Sequence, residues 1–163
     1  MEEPGFYTKK LEQTQTYGKF VIEPLPLSFG DSIGNSLRRT LLSSLRGAVI
    51  TQVKIIGIPH MFSTIKGVKE SALELILNLQ LLKFDAPRDG SFKVSLEAKG
   101  AKKVLGKDLK GDIQVINKDQ YIANLTDAKS KLEVNAIVQT GIGSLNRDEI
   151  EDKETDYISL DSF

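Results

Sequence analysis

The 163-residue chain predicts an α+β fold in two lobes: a discontinuous strand-plus-helix lobe, and an inserted, mostly antiparallel β lobe with one helix. Three observations predict it. Only two stretches, residues 29–47 and 68–82, repeat apolar side chains at helical spacing. Short alternating runs separated by turn residues fill most of the remainder. A polar, acid-rich segment at 146–155 precedes one last strand-like piece, which reads as a return toward the first lobe. The boundaries implied are 1–47 together with 150–163 for the first lobe, and 48–149 for the inserted one.

Each element has its own signal. Residues 6–13 and 17–23 are β-rich and flank Thr14-Gln15-Thr16, as in a hairpin. Pro24 and Pro26 stop the second strand. In the first helix Ile33, Leu37, Leu41 and Leu45 recur every fourth residue and form one stripe. Beside that stripe lies a small, polar strip of Gly34, Asn35, Arg38 and Arg39. Ser28 and Asp31 have the spacing of a capping box, and Gly47 suits the left-handed turn that ends a helix. A surface helix seldom sets small residues and adjacent arginines beside so regular an apolar seam, so this one is predicted to dock against a partner.

A strand over 48–56 follows, with Val49, Val53 and Ile55 alternating, and Gly57-Ile58-Pro59 turns the chain. The second helix, over 68–82, offers Leu73, Ile76, Leu77 and Leu79 as a broad apolar face. After the turn Pro87-Arg88-Asp89-Gly90, the residues Phe92, Val94, Leu96 and Ala98 alternate as in a half-buried strand. Runs at 113–116, 121–125 and 132–138 follow at short intervals. Gly141-Ile142-Gly143 leads into the acid-rich segment, expected to be a mobile loop, and 156–163 closes the chain.

Composition excludes several classes of function. Lysine plus arginine and aspartate plus glutamate both number 22, and this balance counts against a free-standing nucleic-acid binder, which relies on basic excess. With no cysteine there is no disulfide, thiol catalyst or thiolate zinc site. No apolar run reaches the ~18 residues of a membrane span, and Met1-Glu2-Glu3-Pro4 lacks a signal peptide's order of charge and apolarity, so a cytoplasmic protein is expected. His60 is the single histidine, its neighbours are those of a packed turn, and no phosphate-cradling glycine loop follows a strand. The carboxylates Asp148, Glu149, Glu151 and Asp152 have the pattern of a solvated linker rather than a metal site. Arg38 and Arg39, taken alone, remain open between a solvated or structural role and a partner contact.

Gly18-Lys-Phe-Val-Ile-Glu-Pro-Leu25, Phe29-Gly30 and Gly34-Asn-Ser-Leu-Arg-Arg-Thr-Leu-Leu-Ser-Ser44 resemble the N-terminal domain of the bacterial RNA polymerase alpha subunit. His60-Met-Phe-Ser-Thr64, Gly67-Val-Lys-Glu70, Leu75-Ile-Leu-Asn-Leu79 and Tyr121-Ile-Ala-Asn-Leu-Thr-Asp127 match successive family segments in order, so the resemblance spans residues 6–163. It implies a non-catalytic subunit of DNA-directed RNA polymerase, a nucleotidyltransferase acting in transcription. Such a subunit forms a homodimer on which the beta and beta-prime subunits assemble. It carries no active site and no cofactor or metal, and touches neither nucleic acid nor membrane. The rival expectation is a free-standing protein-interaction module using the same scaffold.

Carried over by position, the resemblance implies beta-subunit contacts at Gly34, Asn35, Arg38 and Arg39, with Arg39 foremost. In the inserted lobe it implies contacts at His60, Phe62, Ser63, Thr64, Gly67, Val68 and Glu70. Dimerisation falls to Ile33, Leu37, Leu41 and Leu45. Four departures stand out. Pro26-Leu27-Ser28 replaces charged residues and glycine, Met61 a glutamate and Gln80 a lysine, while Gly141-Ile142-Gly143 replaces a basic glycine loop. The family's dimerisation lobe continues through further strands and a long helix beyond the position of Leu160-Asp161-Ser162-Phe163, so a form truncated at its C-terminal end, with a weakened homodimer, is expected.

Overall fold

A computed structural model of the chain describes residues 5–14, 16–58, 60–144, 148, 150 and 154–162. Most of the acid-rich segment, including Glu149, Glu151 and Asp152, lies outside the described residues. The chain divides into two compact units, Met1–Leu42 and Ser43–Phe163.

In the first unit, β1 (Tyr7–Gln13) and β2 (Gly18–Glu23) pair antiparallel from Tyr7 opposite Glu23 to Gln13 opposite Gly18. Thr14 closes the hairpin: its N–H donates to the Tyr17 carbonyl at 2.7 Å, and its hydroxyl oxygen accepts from the Tyr17 N–H at 3.1 Å. The strand stops at Glu23, before the two prolines, as expected. Helix α1 runs from Phe29 to Ser43.

Both ends of α1 differ from expectation. Ser28 sits at φ 69°, in the left-handed region, rather than in the extended conformation of an N-cap. The turn that places it there is closed by the Phe29 N–H donating to the Pro26 carbonyl at 3.2 Å. Gly47 does not end the helix, because the chain leaves α1 after Ser43 and Gly47 already belongs to the next strand. Leu45 therefore falls beyond the helix, and the fourth member of the stripe is not on it.

The second unit is built on a five-stranded antiparallel sheet. Its strands are β3 (Arg46–Ile55), β5 (Ser91–Lys99), β7 (Leu109–Gly111), β10 (Lys131–Ile142) and β11 (Ile158–Ser159), in the order β11-β3-β10-β5-β7. The longest strand, β10, lies between β3 and β5 and pairs with both. Smaller pairs complete the unit: β4 (Phe84–Asp85) with β8 (Gln114–Val115), and β6 (Lys102–Leu105) with β9 (Tyr121–Leu125).

Phe92, Val94, Leu96 and Ala98 of β5 are all buried and their neighbours exposed, as the alternation predicts. Helix α2 (Ala72–Gln80) is shorter than expected because Ser71 caps it. The Ser71 hydroxyl oxygen accepts from the Glu74 N–H at 3.3 Å, and the Ser71 N–H donates to Glu74 Oε2 at 2.8 Å. The Ser71 N–H and the Ser71 hydroxyl, the latter at 3.0 Å, both donate to Glu74 Oε2 and hold its carboxyl below its ordinary pKa. The face that α2 buries is Ala72, Leu75, Ile76 and Leu79, at the spacing of one helical stripe. Each such leucine or isoleucine contributes about 1.5–3 kcal/mol over leaving it exposed. Leu77 points outward, and Leu73 is only half-buried.

The tail also differs from expectation. Ile158 pairs with Val53 and Ser159 with Gln52, so this piece adds an edge to the second unit's sheet rather than returning to the first lobe. Its seat explains the choice. Leu160 joins the core, its N–H donates to the Thr51 carbonyl at 2.8 Å, and the buried Gln52 side chain accepts from the Glu154 N–H at 2.9 Å.

Candidate functional site

The predicted contact residues form two groups in different units, each assembled locally. On α1, Gly34 and Asn35 lie three to five residues before Arg38 and Arg39, so the four share one strip. Arg38 Nη1 donates to Asn35 Oδ1 at 3.0 Å, tying that guanidinium to the preceding turn. Gly34 faces open space, for a Cβ there would meet nothing within 4 Å. Glycine inside a helix costs about 0.5–1 kcal/mol relative to alanine. The first unit's own packing gives no reason for it.

The stripe beside it is uncovered. No residue of α1 is buried; Ile33 is half-buried, while Leu37 and Leu41 are 47% and 59% exposed. Leu42 and Phe29 on the same helix are exposed as well. Apolar side chains clustered this way on a surface are a feature of protein interaction sites.

The second group lies between β3 and α2, where the chain makes two turns that fold on each other. The Ser63 N–H donates to the His60 carbonyl at 3.1 Å, and the Ser63 carbonyl accepts from the Ala72 N–H at 3.1 Å. Thr64 bridges Ser71 across the same turn, and the Ser63 hydroxyl lies 3.2 Å from His60 Nδ1. Phe62, at the tip, is 75% exposed. His60, Phe62, Ser63 and Thr64 are thus brought together at the mouth of α2.

Gly67, Val68 and Glu70 run antiparallel alongside β9. Val68 bridges Leu125, the Lys69 N–H donates to the Asn124 carbonyl at 2.9 Å, and the Thr126 N–H donates to the Gly67 carbonyl at 3.0 Å. Gly67 has φ 77°, and a Cβ there would overlap the Ser130 hydroxyl, so both backbone and space require glycine. Glu70 is used inside the chain. One carboxylate oxygen accepts from the Tyr121 hydroxyl and the other from the Asn124 N–H at 2.8 Å. Burial first, then the hydrogen bond to Glu70 and its charge, push the Tyr121 phenol up to about 12. Glu70 therefore positions the 67–70 segment. Tyr121 and Asn124, its partners, had been visible only as members of a motif.

This arrangement offers directed hydrogen bonds, apolar contact and a close-packed backbone, which are the means of protein recognition. Among the described residues, no group of three or more His, Asp or Glu side chains is placed to hold a metal ion, and no helix is long and apolar enough to cross a membrane.

Comparison with known proteins gives this geometry a context. Residues 53–163 match the family described as the RNA polymerase Rpb3/RpoA insert domain. The chain is 46% identical over 143 residues to a DNA-directed RNA polymerase subunit alpha of Aquifex aeolicus (strain VF5), covering 86% of this chain and 45% of the relative. It is 42% identical over 167 aligned positions to that of Clostridium perfringens (strain 13 / Type A), covering 100% of this chain and 53% of the relative. The corresponding subunit of Clostridium kluyveri (strain NBRC 12016) is 40% identical, with 53% of its length covered. The chain thus spans about half the length of the relatives it matches.

Proposed function

The chain belongs to the bacterial RNA polymerase alpha subunit family, and from that premise we propose that it is a non-catalytic assembly subunit of DNA-directed RNA polymerase. It docks the beta and beta-prime subunits and pairs with a second alpha subunit. The observation that carries the reading is the face of α1: a glycine open to solvent, two adjacent arginines and an uncovered leucine stripe on one helix. Arg39 is the leading contact for the beta subunit, because arginine's planar fork makes several directed bonds with limited loss of freedom. Arg38, Asn35 and Gly34 extend that contact. Ile33, Leu37 and Leu41 supply the face for the second alpha subunit, with Leu45 just beyond the helix.

In the second unit, His60, Phe62, Ser63 and Thr64 present a further beta-facing surface, while Glu70 holds the neighbouring backbone of Gly67 and Val68 in place. Co-purification of the chain with separately expressed beta and beta-prime subunits tests the proposal. A stable complex that Arg39→Ala weakens is expected. A chain that captures neither subunit, or one that polymerises nucleotides alone, would overturn it, and the former would favour an interaction module outside the polymerase.

A further inference from the structure

The outer face of the five-stranded sheet carries a small apolar contact of its own. Among the described residues, Ile137 and Ile150 are the two buried apolar side chains that stand outside the main core. Ile137 lies in a row across three strands, opposite Gln52 of β3 on one side and Lys93 of β5 on the other. Both flanking residues hold Glu154: its N–H donates to Gln52 Oε1 at 2.9 Å, and its carboxylate meets Lys93 Nζ at 2.7 Å. Glu154 thus bridges the row from β3 to β5, across Ile137. Two residues on, Asp156 pairs with Lys54 at 3.4 Å, and the same ammonium stands 5.9 Å from the centre of the Tyr157 ring. A cleft of about 480 Å³ runs beside this strap, lined by Gln52, Ser91, Ile137 and Gln139.

The residues that follow are held by different means. Ile158 and Ser159 join the ladder of β3, Leu160 enters the core, and Gln80 Nε2 of α2 donates to the Asp161 carbonyl at 3.0 Å. Residues 154–157 rest instead on charges that stay in water, for the Lys93 and Asp156 side chains are mostly exposed. Exposed ion pairs are weak and fade with salt, since charge is screened over about 10 Å at 0.1 M and about 3 Å at 1 M. Asp156 also has φ 69°, a left-handed conformation that costs a residue with a side chain and so opposes closure. Small opposing effects therefore set the position of the strap.

We propose that residues 154–157 form an electrostatic latch on the outer face of the sheet. Closed, it covers Ile137 and the Gln52 carboxamide. Released by rising ionic strength, it frees Lys54 and Lys93 and opens the face from β3 to β5, while residues 158–161 stay anchored. The change is local and reversible, and leaves the ladder of β3, β10 and β5 intact.

Amide hydrogen exchange of the whole chain, followed by NMR at about 0.05 and about 1 M salt, tests the inference. The Glu154 N–H reports the latch. The Leu160 N–H, which donates to the Thr51 carbonyl at 2.8 Å, reports the anchor. Loss of two exposed ion pairs should lower protection at Glu154 about 3–10-fold in high salt, with Leu160 unchanged. Replacing Lys54 and Lys93 together by glutamine should lower Glu154 protection as far at low salt and abolish its salt dependence. Replacing Lys107 and Lys118 instead removes equal charge elsewhere and should leave both amides as they were. Melting temperatures check that both variants fold, and the salt comparison on the unaltered chain stands without them. Glu154 protection indifferent to salt, or equal loss in the two variants, would overturn the proposal. Loss at Leu160 in step with Glu154 would overturn it too, because the tail would then open as one piece.

Discussion

Tyr121→Phe removes one oxygen and leaves the ring, so it isolates the bond that ties β9 to the 67–70 segment. The lost interaction is a hydroxyl donating to a carboxylate, of a class worth about 1.5–3 kcal/mol. Tyr121 and Glu70 are both half-buried, so water can replace the missing donor, and a cost of about 1–2 kcal/mol is expected. For a protein of this size that is a fall of about 3–8 °C in melting temperature. The phenol's pKa is pushed up to about 12, by burial first and then by Glu70, which gives the bond a pH signature. A tyrosine whose pKa is higher folded than unfolded stabilises fully below about pH 10, and that stabilisation is lost as pH rises from there through about 12. The gap between the unaltered chain and Tyr121→Phe should therefore be constant near neutrality and narrow at about pH 11. Thermal unfolding followed by circular dichroism at both pH values measures it. Equal melting at neutral pH, or a gap that persists in alkali, would refute the argument.

Arg39→Ala should weaken beta-subunit binding by more than about 2 kcal/mol, roughly 30-fold in Kd, with the helix intact, as titration and circular dichroism would report. Gly34→Ala should raise the stability of the isolated chain by about 0.5–1 kcal/mol while weakening beta capture; improved melting with undiminished capture would remove the case for a close-approaching backbone. Gly67→Ala should cost at least about 1–2 kcal/mol from left-handed strain alone, and adding Ser130→Gly should relieve the overlap without recovering the strain.

The parts legible in the sequence were those held by local periodicity. Residues Phe92, Val94, Leu96 and Ala98 alternate because one face of β5 is buried, and β9 has the limits that its apolar run suggests. The start of α2 was missed: it was expected at Val68, and the capping-box spacing of Ser71 and Glu74, which sets the boundary at Ala72, went unread. At Ser28 the same kind of spacing misled, because the turn onto Pro26 places that serine in a backbone conformation that cannot cap. Strands β4, β6 and β7 are two to four residues long and exist through pairing with other strands, so they carry no periodic signal, whereas β8 lies within the expected run at 113–116. The strip of Gly34, Asn35, Arg38 and Arg39 followed from helical spacing alone. Glu70's internal role did not, because its partners Tyr121 and Asn124 stand 51 and 54 residues away.

The central place of β10 has a consequence for synthesis. β3 and β5 both emerge from the ribosome before Lys131–Ile142, the strand that lies between them, has been made. At about 5–20 residues per second, the roughly 40 residues from the end of β5 to the end of β10 take about 2–8 seconds. Throughout that interval two long, apolar strands have unpaired edges, the condition under which nascent chains pair with one another or with chaperones. Completion of β10 joins β3 to β5, and β11 adds the last edge only afterwards, so the lobe acquires its sheet late.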